Sequence, residues 1–203
     1  MSEAPHRPPS GSSGNRPAAG YFTAALLIAA MVAGLAAIAL RGGGGSDGTA
    51  SAAGFAPDYS NFVPRREAAG VSTMGDPQDG SAHLHPHLVL YANGNRIEIP
   101  VNIGIDPSES PEEMASLHTH SGDGTIHVEG MSQATLGQFF QIWGVPFSSN
   151  QLGPYRVAGD KTVRMWVDGK PSTAFGSLQL ADGQQIVVAF GPKESPPPRD
   201  VSS

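Results

Sequence analysis

Six of the seven histidines of this 203-residue chain lie between His83 and His127. They form two groups, the first with His83, His85 and His87 and the second with His118, His120 and His127. Imidazole is the commonest metal-binding side chain, and residues at positions i and i+2 of a strand point to the same face of a sheet. The residue types and their spacing therefore predict a site for a divalent transition metal.

The second group is predicted to lie on a β-hairpin. Two short runs of alternating apolar and polar residues flank Ser121–Gly124, whose residues favour turns. A four-residue loop places His118 opposite His127, and strand alternation puts His120 on the same face. Directly opposed Cβ atoms are about 4.5–5.5 Å apart, which lets two imidazoles bind one ion at metal–nitrogen distances of about 2.0–2.1 Å.

The predicted site has a set of ligands and a set of supporting carboxylates. The ligands are His118, His120 and His127, with His85 and His87 as additional ligands. The carboxylates predicted to support them are Glu129, Glu98 and Asp123. The strand that carries His83 would complete this site, form a second one or lie at its rim. Zinc is preferred over copper as the ion, because tetrahedral nitrogen ligation suits Zn²⁺.

Three functions are compatible with these histidines. The first is a domain that binds a divalent transition metal. The second is a zinc-dependent hydratase or hydrolase acting on a small substrate, because three histidines on Zn²⁺ lower the pKa of a bound water to about 7. The third is an interaction module without metal, whose histidines are half-exposed and hydrogen-bonded to carboxylates. An open coordination position would distinguish the enzyme from the binding domain.

Several elements are predicted to position the histidines. Asn93–Gly94 between two alternating runs indicates a hairpin, and Thr135–Gln138 is a capping box that begins a short amphipathic helix. Strands are predicted over Thr162–Val167 and Gln185–Phe190. The predicted core residues are Leu88, Leu90, Ile97 and Ile99 of the hairpin and Phe139, Phe140 and Trp143 of the helix. We therefore predict an α+β fold class with a single N-terminal transmembrane helix and a small, mostly antiparallel β domain with one helix, either β-grasp-like or a small sandwich.

The transmembrane prediction rests on Tyr21–Leu40, which contains no charged residue. At about 1.5 Å per residue such a helix spans the hydrocarbon core, and Arg7 and Arg16 before it favour a cytoplasmic N-terminus. A cleaved secretory signal is the alternative. The predicted organisation is a cytoplasmic tail (1–20), a transmembrane helix (21–40), a flexible linker (41–82), an extracytoplasmic histidine-rich domain (83–191) and a disordered tail (192–203). The predicted location is the cell membrane, with a single pass and the C-terminal domain outside.

Composition excludes other classes of protein. The net charge is −6, from 12 Lys and Arg against 18 Asp and Glu, so we expect no nucleic-acid partner, because phosphate binding requires a basic surface. The chain has no Cys, which excludes disulfides and thiolate ligands. The sequence indicates no particular protein partner.

Three blocks of the sequence resemble a known group of proteins. The blocks are HLHPHLVLYANGNRIEIPVNIGI, LHTHSGDGTIHVEG and TLGQFFQIWG, and the likeness covers roughly residues 83–191. They resemble a group of uncharacterised extracytoplasmic proteins of bacteria and archaea that share a histidine strand, this hairpin and this helix. The resemblance implies an Asp directly after the second histidine of the LHTH block, and often a Cys shortly before it, whereas this chain has Ser121 and no Cys. It implies no particular activity.

Overall fold

The computed structural model describes residues 54–74, 82–108 and 113–202. These residues belong to one compact unit, Ser46–Ser203. The predicted cytoplasmic tail and the predicted transmembrane segment, residues 1–40, lie outside the described residues. Within the described ranges, no helix is both long enough and apolar enough to cross a membrane.

The described chain is mostly β-strand with two short α-helices. The helices are α1, Phe62–Ala68, and α2, Leu136–Trp143, and 3₁₀ turns cover Phe175–Ser177 and Arg199–Ser202. The strands are β1 His83–Leu84, β2 His87–Ala92, β3 Asn95–Ile97, β4 Ile105–Asp106, β5 Glu113–Met114, β6 Leu117–His118, β7 His127–Glu129, β8 Phe147–Ser148, β9 Gln151–Leu152, β10 Tyr155–Arg156, β11 Lys161–Val167, β12 Lys170–Ser172 and β13 Gln185–Pro192.

The predicted fold class is wrong. The sequence predicts an α+β domain with one helix behind a transmembrane helix, whereas the described residues are mostly β-sheet with two short helices, neither of membrane-spanning length. The additional helix, α1, follows Asn61, whose side chain makes no capping hydrogen bond, and its buried residues are Phe62 and Arg66. Without a side-chain cap or a continuous apolar stripe, α1 lacks the signals from which a helix is predicted.

The largest sheet of the described chain has five strands in the order β12-β11-β13-β2-β3. β13 pairs with β2 in parallel, and the other neighbours are antiparallel. Asn93 and Gly94 join β2 to β3 with φ angles of 51° and 85°, the left-handed conformation of an Asn-Gly hairpin turn. This turn pairs Leu90 with Ile97, which confirms the predicted hairpin. The four predicted core residues of the hairpin are Leu88, Leu90, Ile97 and Ile99, and all are buried.

Helix α2 begins with the predicted capping box. Thr135 Oγ1 accepts a hydrogen bond from the Gln138 N–H at 3.2 Å, and Gln138 Oε1 accepts one from the Thr135 N–H at 2.8 Å. The aromatic residues predicted for the core are Phe139, Phe140 and Trp143, and all are at most 2% exposed. Trp143 Nε1 donates to the carbonyl oxygen of Phe55 at 2.9 Å. This bond joins α2 to the segment that precedes α1.

The folded part extends beyond both predicted boundaries. Residues 41–82 were predicted to be a flexible linker, but Phe55, Phe62 and Val71 belong to the core and are each at most 2% exposed. Residues 192–203 were predicted to be disordered, but the Tyr91 hydroxyl donates to Asp200 Oδ2 at 2.7 Å. Both predictions rested on small residues and prolines, and this composition does not reveal a few aromatic or charged residues that attach a segment to the core.

Candidate metal centre

The histidine hairpin belongs to a three-stranded antiparallel sheet with the order β1-β7-β6. His118 of β6 lies opposite His127 of β7, which confirms the register predicted from the loop length. On the other face of the sheet, Leu117 and Val128 form the next opposed pair, and both are fully buried. Burial of that face holds the register, because a slip of one residue would turn the apolar side chains toward solvent.

The first histidine group lies on the other side of β7. His83 is paired with Glu129, and His87 forms an isolated bridge with Thr125. Both pairs belong to the same antiparallel register, which places His85 opposite His127. His127 therefore lies in the central strand with histidines on both neighbouring strands.

Pro86 separates β1 from β2. Its carbonyl oxygen accepts a hydrogen bond from the Ile126 N–H at 2.9 Å, but proline has no N–H to return one. The ladder with β7 is interrupted there, and β2 continues into the five-stranded sheet instead. One short stretch of chain thus contributes histidines to one sheet and core residues to another.

One cluster of histidines, which we call the inner triad, consists of His118, His120 and His127. One ligand atom from each imidazole lies within 4.8 Å of the other two. The ring centroids are 4.6 Å apart for His118 and His120, 4.8 Å for His120 and His127, and 5.3 Å for His118 and His127. His118 is fully buried, whereas His120 is exposed, so the triad lies at the edge of the buried region.

The two ring nitrogens of His118 have different partners. Nδ1 lies 2.8 Å from the carbonyl oxygen of Ala115, which only accepts hydrogen bonds, so Nδ1 carries the proton. The lone pair of neutral His118 is therefore on Nε2, which lies 3.0 Å from His120 Nε2. Two nitrogens on a tetrahedral ion at about 2.0–2.1 Å are about 3.3–3.4 Å apart. The observed separation, at which the His120 Nε2–H donates a hydrogen bond to this lone pair, is about 0.3 Å shorter than that of two ligands of one ion.

Burial keeps two of these imidazoles neutral at neutral pH. The pKa of His118 is lowered to about 4, chiefly by burial and also by the neighbouring His120 and His127, while the carbonyl of Ala115 and the carboxylate of Glu129 act in the opposite direction. Burial also lowers the pKa of His127, followed by the nearby imidazoles of His120 and His85. A neutral imidazole is the form that binds metal, so neither residue has to lose a proton first.

The other cluster of histidines, which we call the outer triad, consists of His83, His85 and His127. Its ligand atoms also lie within 4.8 Å of one another. The ring centroids are 4.7 Å apart for His83 and His85 and 4.9 Å for His85 and His127. Glu129 Oε1 lies 3.4 Å from His83 Nε2 and 3.8 Å from His127 Nδ1. Glu129 therefore lies close to the histidines, as predicted, and its neighbours are His83 and His127 of the outer triad.

Three residues of the predicted site lie away from both triads. His87 Nε2 donates to the carbonyl oxygen of Asp123 at 2.8 Å. Asp123 Oδ1 accepts hydrogen bonds from the Thr125 N–H and the Ser121 hydroxyl, which lower the pKa of its carboxyl group. Asp123 thus holds the hairpin loop together and does not orient a ligand. Glu98 is exposed and lines a cavity of about 210 Å³ that contains none of the histidines.

Two groups that form contacts with the histidines were not predicted from the sequence. One is the carbonyl oxygen of Ala115, which orients His118 as described above. The other is Asp182, whose Oδ1 accepts the His85 N–H at 2.9 Å and lies 3.6 Å from His85 Nδ1. Asp182 is separated from His85 by 97 residues, so no local pattern relates them.

The backbone of Gly104 packs closely against strand β6 at His118. The Gly104 carbonyl accepts the Ala115 N–H at 2.8 Å, which brings its backbone against β6. A Cβ atom at Gly104 would lie 2.5 Å from the Leu117 oxygen and 3.1 Å from His118 Cα. This approach therefore requires glycine, which also suits the φ of +77°.

The described chain is thus a mostly β domain with two overlapping histidine clusters, and these clusters can hold a metal ion. Comparison with protein-family models, with curated proteins and with solved structures finds no match to this chain. The function must therefore be argued from the geometry of the site.

Proposed function

We propose that this protein binds a divalent transition metal ion through the inner triad, His118, His120 and His127. The observation that carries the proposal is the 3.0 Å separation of His118 Nε2 and His120 Nε2, with His118 Nδ1 directed at a carbonyl. This arrangement directs the lone pair of a buried imidazole toward a second imidazole. Metal-binding histidines commonly use such a carbonyl bond from the other ring nitrogen to fix the tautomer.

An unpaired buried nitrogen of His127, the residue that belongs to both triads, supports metal binding at this imidazole. His127 Nδ1 is buried and has no hydrogen-bond partner within the described residues. Buried polar atoms are rarely left without partners, because each loses its bonds to water. A metal ion in the cluster would supply a partner for the imidazole of His127.

Zinc is the ion that we propose. Three neutral nitrogens around one point suit tetrahedral Zn²⁺, which needs one further ligand such as water. Cu²⁺ binds nitrogen sites more tightly when it is present, so the identity of the ion in the cell also depends on supply. A zinc enzyme would use the same three histidines with a water as the fourth ligand, whereas metal binding requires only the triad itself, so the binding domain is the function that we propose.

The location of this site outside the cytoplasm remains a prediction from the sequence. It rests on the uncharged segment of residues 21–40, which lies outside the described residues. The resemblance of the three sequence blocks to extracytoplasmic proteins supports the same location. Metal binding by the triad does not depend on it.

Metal titration of the purified full-length protein tests the proposal. The protein is titrated with Zn²⁺ in competition with a chromophoric chelator, as wild type and with His118→Ala combined with His127→Ala. Loss of two ligands should weaken tight binding by about 100-fold or more, since loss of even a supporting residue costs about 10–100-fold. Unchanged binding in this double variant would refute the proposal.

Two further variants make the result specific. His120→Ala removes an exposed ligand and so leaves the buried packing intact, and it should also weaken binding. His87→Ala is the matched control, because His87 lies on the same sheet face but bonds to the Asp123 carbonyl and belongs to neither triad. It should bind Zn²⁺ as the wild type does.

A further inference from the structure

We propose that the outer triad, His83, His85 and His127, is a second metal site that shares His127 with the inner triad. The proposal rests on the proposed function, because both sites use the same central imidazole. It adds a second ion and a coupling between the two sites. The ligand is the same kind of ion, a divalent transition metal such as Zn²⁺.

The sheet order explains why His127 is shared. β7 lies between β6 and β1, so His127 has His118 opposite it on one side and His85 opposite it on the other. The ring centroid of His127 is 5.3 Å from that of His118 and 4.9 Å from that of His85. One row across three strands thus contains three imidazoles, with His127 in the middle.

Carboxylates make the outer triad attractive to cations. Glu129 Oε1 lies 3.4 Å from His83 Nε2, and Asp182 Oδ1 lies 3.6 Å from His85 Nδ1. Negative charge next to ligands raises the local concentration of cations. The side chains of His83 and His85 are 61% and 42% exposed, whereas His118 is fully buried. The outer triad is therefore accessible to an ion from solvent.

Sharing one imidazole couples the two sites. If one nitrogen of His127 serves both sites, it can bind only one ion at a time. If each nitrogen binds a different ion, the ring must release its remaining proton to solvent when the second ion binds. In either case the second ion binds more weakly than the first, and removal of His127 weakens both sites.

Zn²⁺ titration of the full-length protein tests this inference with three variants. Wild type should show one tight and one weaker binding event. His83→Ala with His85→Ala should keep the tight event and lose the weaker one. His120→Ala, in which the buried His118 is retained, should lose the tight event and still bind one ion at the outer triad, at least as tightly as in the weaker event of the wild type. His127→Ala should weaken both events by about 10-fold or more.

The outcomes separate this inference from the proposed function. If removal of His83 and His85 leaves both events unchanged, or if wild type binds a single ion, the second site is disproved while the inner site stands. If the variant without His83 and His85 binds no ion, the proposed function fails. His87→Ala again serves as the control, and near-ultraviolet circular dichroism of each variant checks that the fold is retained.

Discussion

At the scale of single residues, His118 combines full burial with a ring nitrogen, Nε2, that lies 3.0 Å from His120 Nε2. Burial penalises the charged form, and this lowers its pKa to about 4. The same property that keeps the lone pair available for an ion makes the residue a source of acid instability. His118 therefore links the chemistry of the site to the stability of the domain.

The first prediction concerns that link. In metal-free protein, His118 binds a proton in the unfolded state below its usual pKa of 6.5 but in the folded state only below about 4. Between these values the unfolded state binds more protons, so the free energy of unfolding falls as the pH falls. The contribution of His118 should be about 2 kcal/mol between pH 7 and pH 4.5.

Denaturant unfolding at both pH values, with a chelator present, measures this effect. His118→Gln can still donate to the Ala115 carbonyl but does not titrate, so its stability should depend less on pH over this range. An equal pH dependence in the variant and the wild type would show that His118 is not the source. His87→Gln is the control for loss of a histidine elsewhere on the sheet.

At the scale of elements, the position of β6 depends on Gly104. Gly104→Ala should destabilise the protein by about 1–3 kcal/mol through crowding against Leu117, in addition to the cost of a positive φ for alanine. Gly94→Ala is the matched control, because Gly94 also has a positive φ of +85° but has nothing within 4 Å of an added Cβ. Chemical denaturation of both variants gives the difference.

Zinc titration of the same two variants extends this prediction to the site. Gly104→Ala displaces the backbone of His118, so it should weaken Zn²⁺ binding, whereas Gly94→Ala should not. Equal stability and equal affinity in the two variants would contradict the role assigned to Gly104.

Sequence patterns predicted the elements whose pairing is set by local turns. The Asn93–Gly94 turn and the loop Ser121–Gly124 each determine a register, and strand alternation then identifies the faces. The pairing of β1 with β7 was not predicted, because it joins residues over forty positions apart across an interruption at Pro86. Helix α1 was missed because it has no side-chain cap. Local signals therefore revealed the inner triad but not the pairing that forms the outer one.

At the scale of the whole molecule, residues 54–74 contribute to the core. Phe55 is 1% exposed, its ring packs against Gly153 and Trp143, and its carbonyl accepts the Trp143 N–H. Phe55→Ala should therefore reduce the free energy of unfolding by about 3–5 kcal/mol.

Thermal or chemical denaturation checks this value against Val101→Ala. Val101 is 49% exposed, so its truncation should change stability by less than about 0.5 kcal/mol. If Phe55→Ala were as stable as Val101→Ala, residues 54–74 would be a dispensable linker, as composition alone predicts.

The order of the five-stranded sheet also has a consequence for the time course of folding. Its middle strand, β13, comes after the other four strands of this sheet in the sequence, and it lies between β11 and β2. During synthesis β13 leaves the ribosome after the other four strands of this sheet, so the sheet has no centre until residue 192 has emerged. Such non-local pairing folds slowly, in about milliseconds to seconds, and leaves strand edges exposed in the meantime. The nascent chain is therefore a candidate client for chaperones until β13 has emerged.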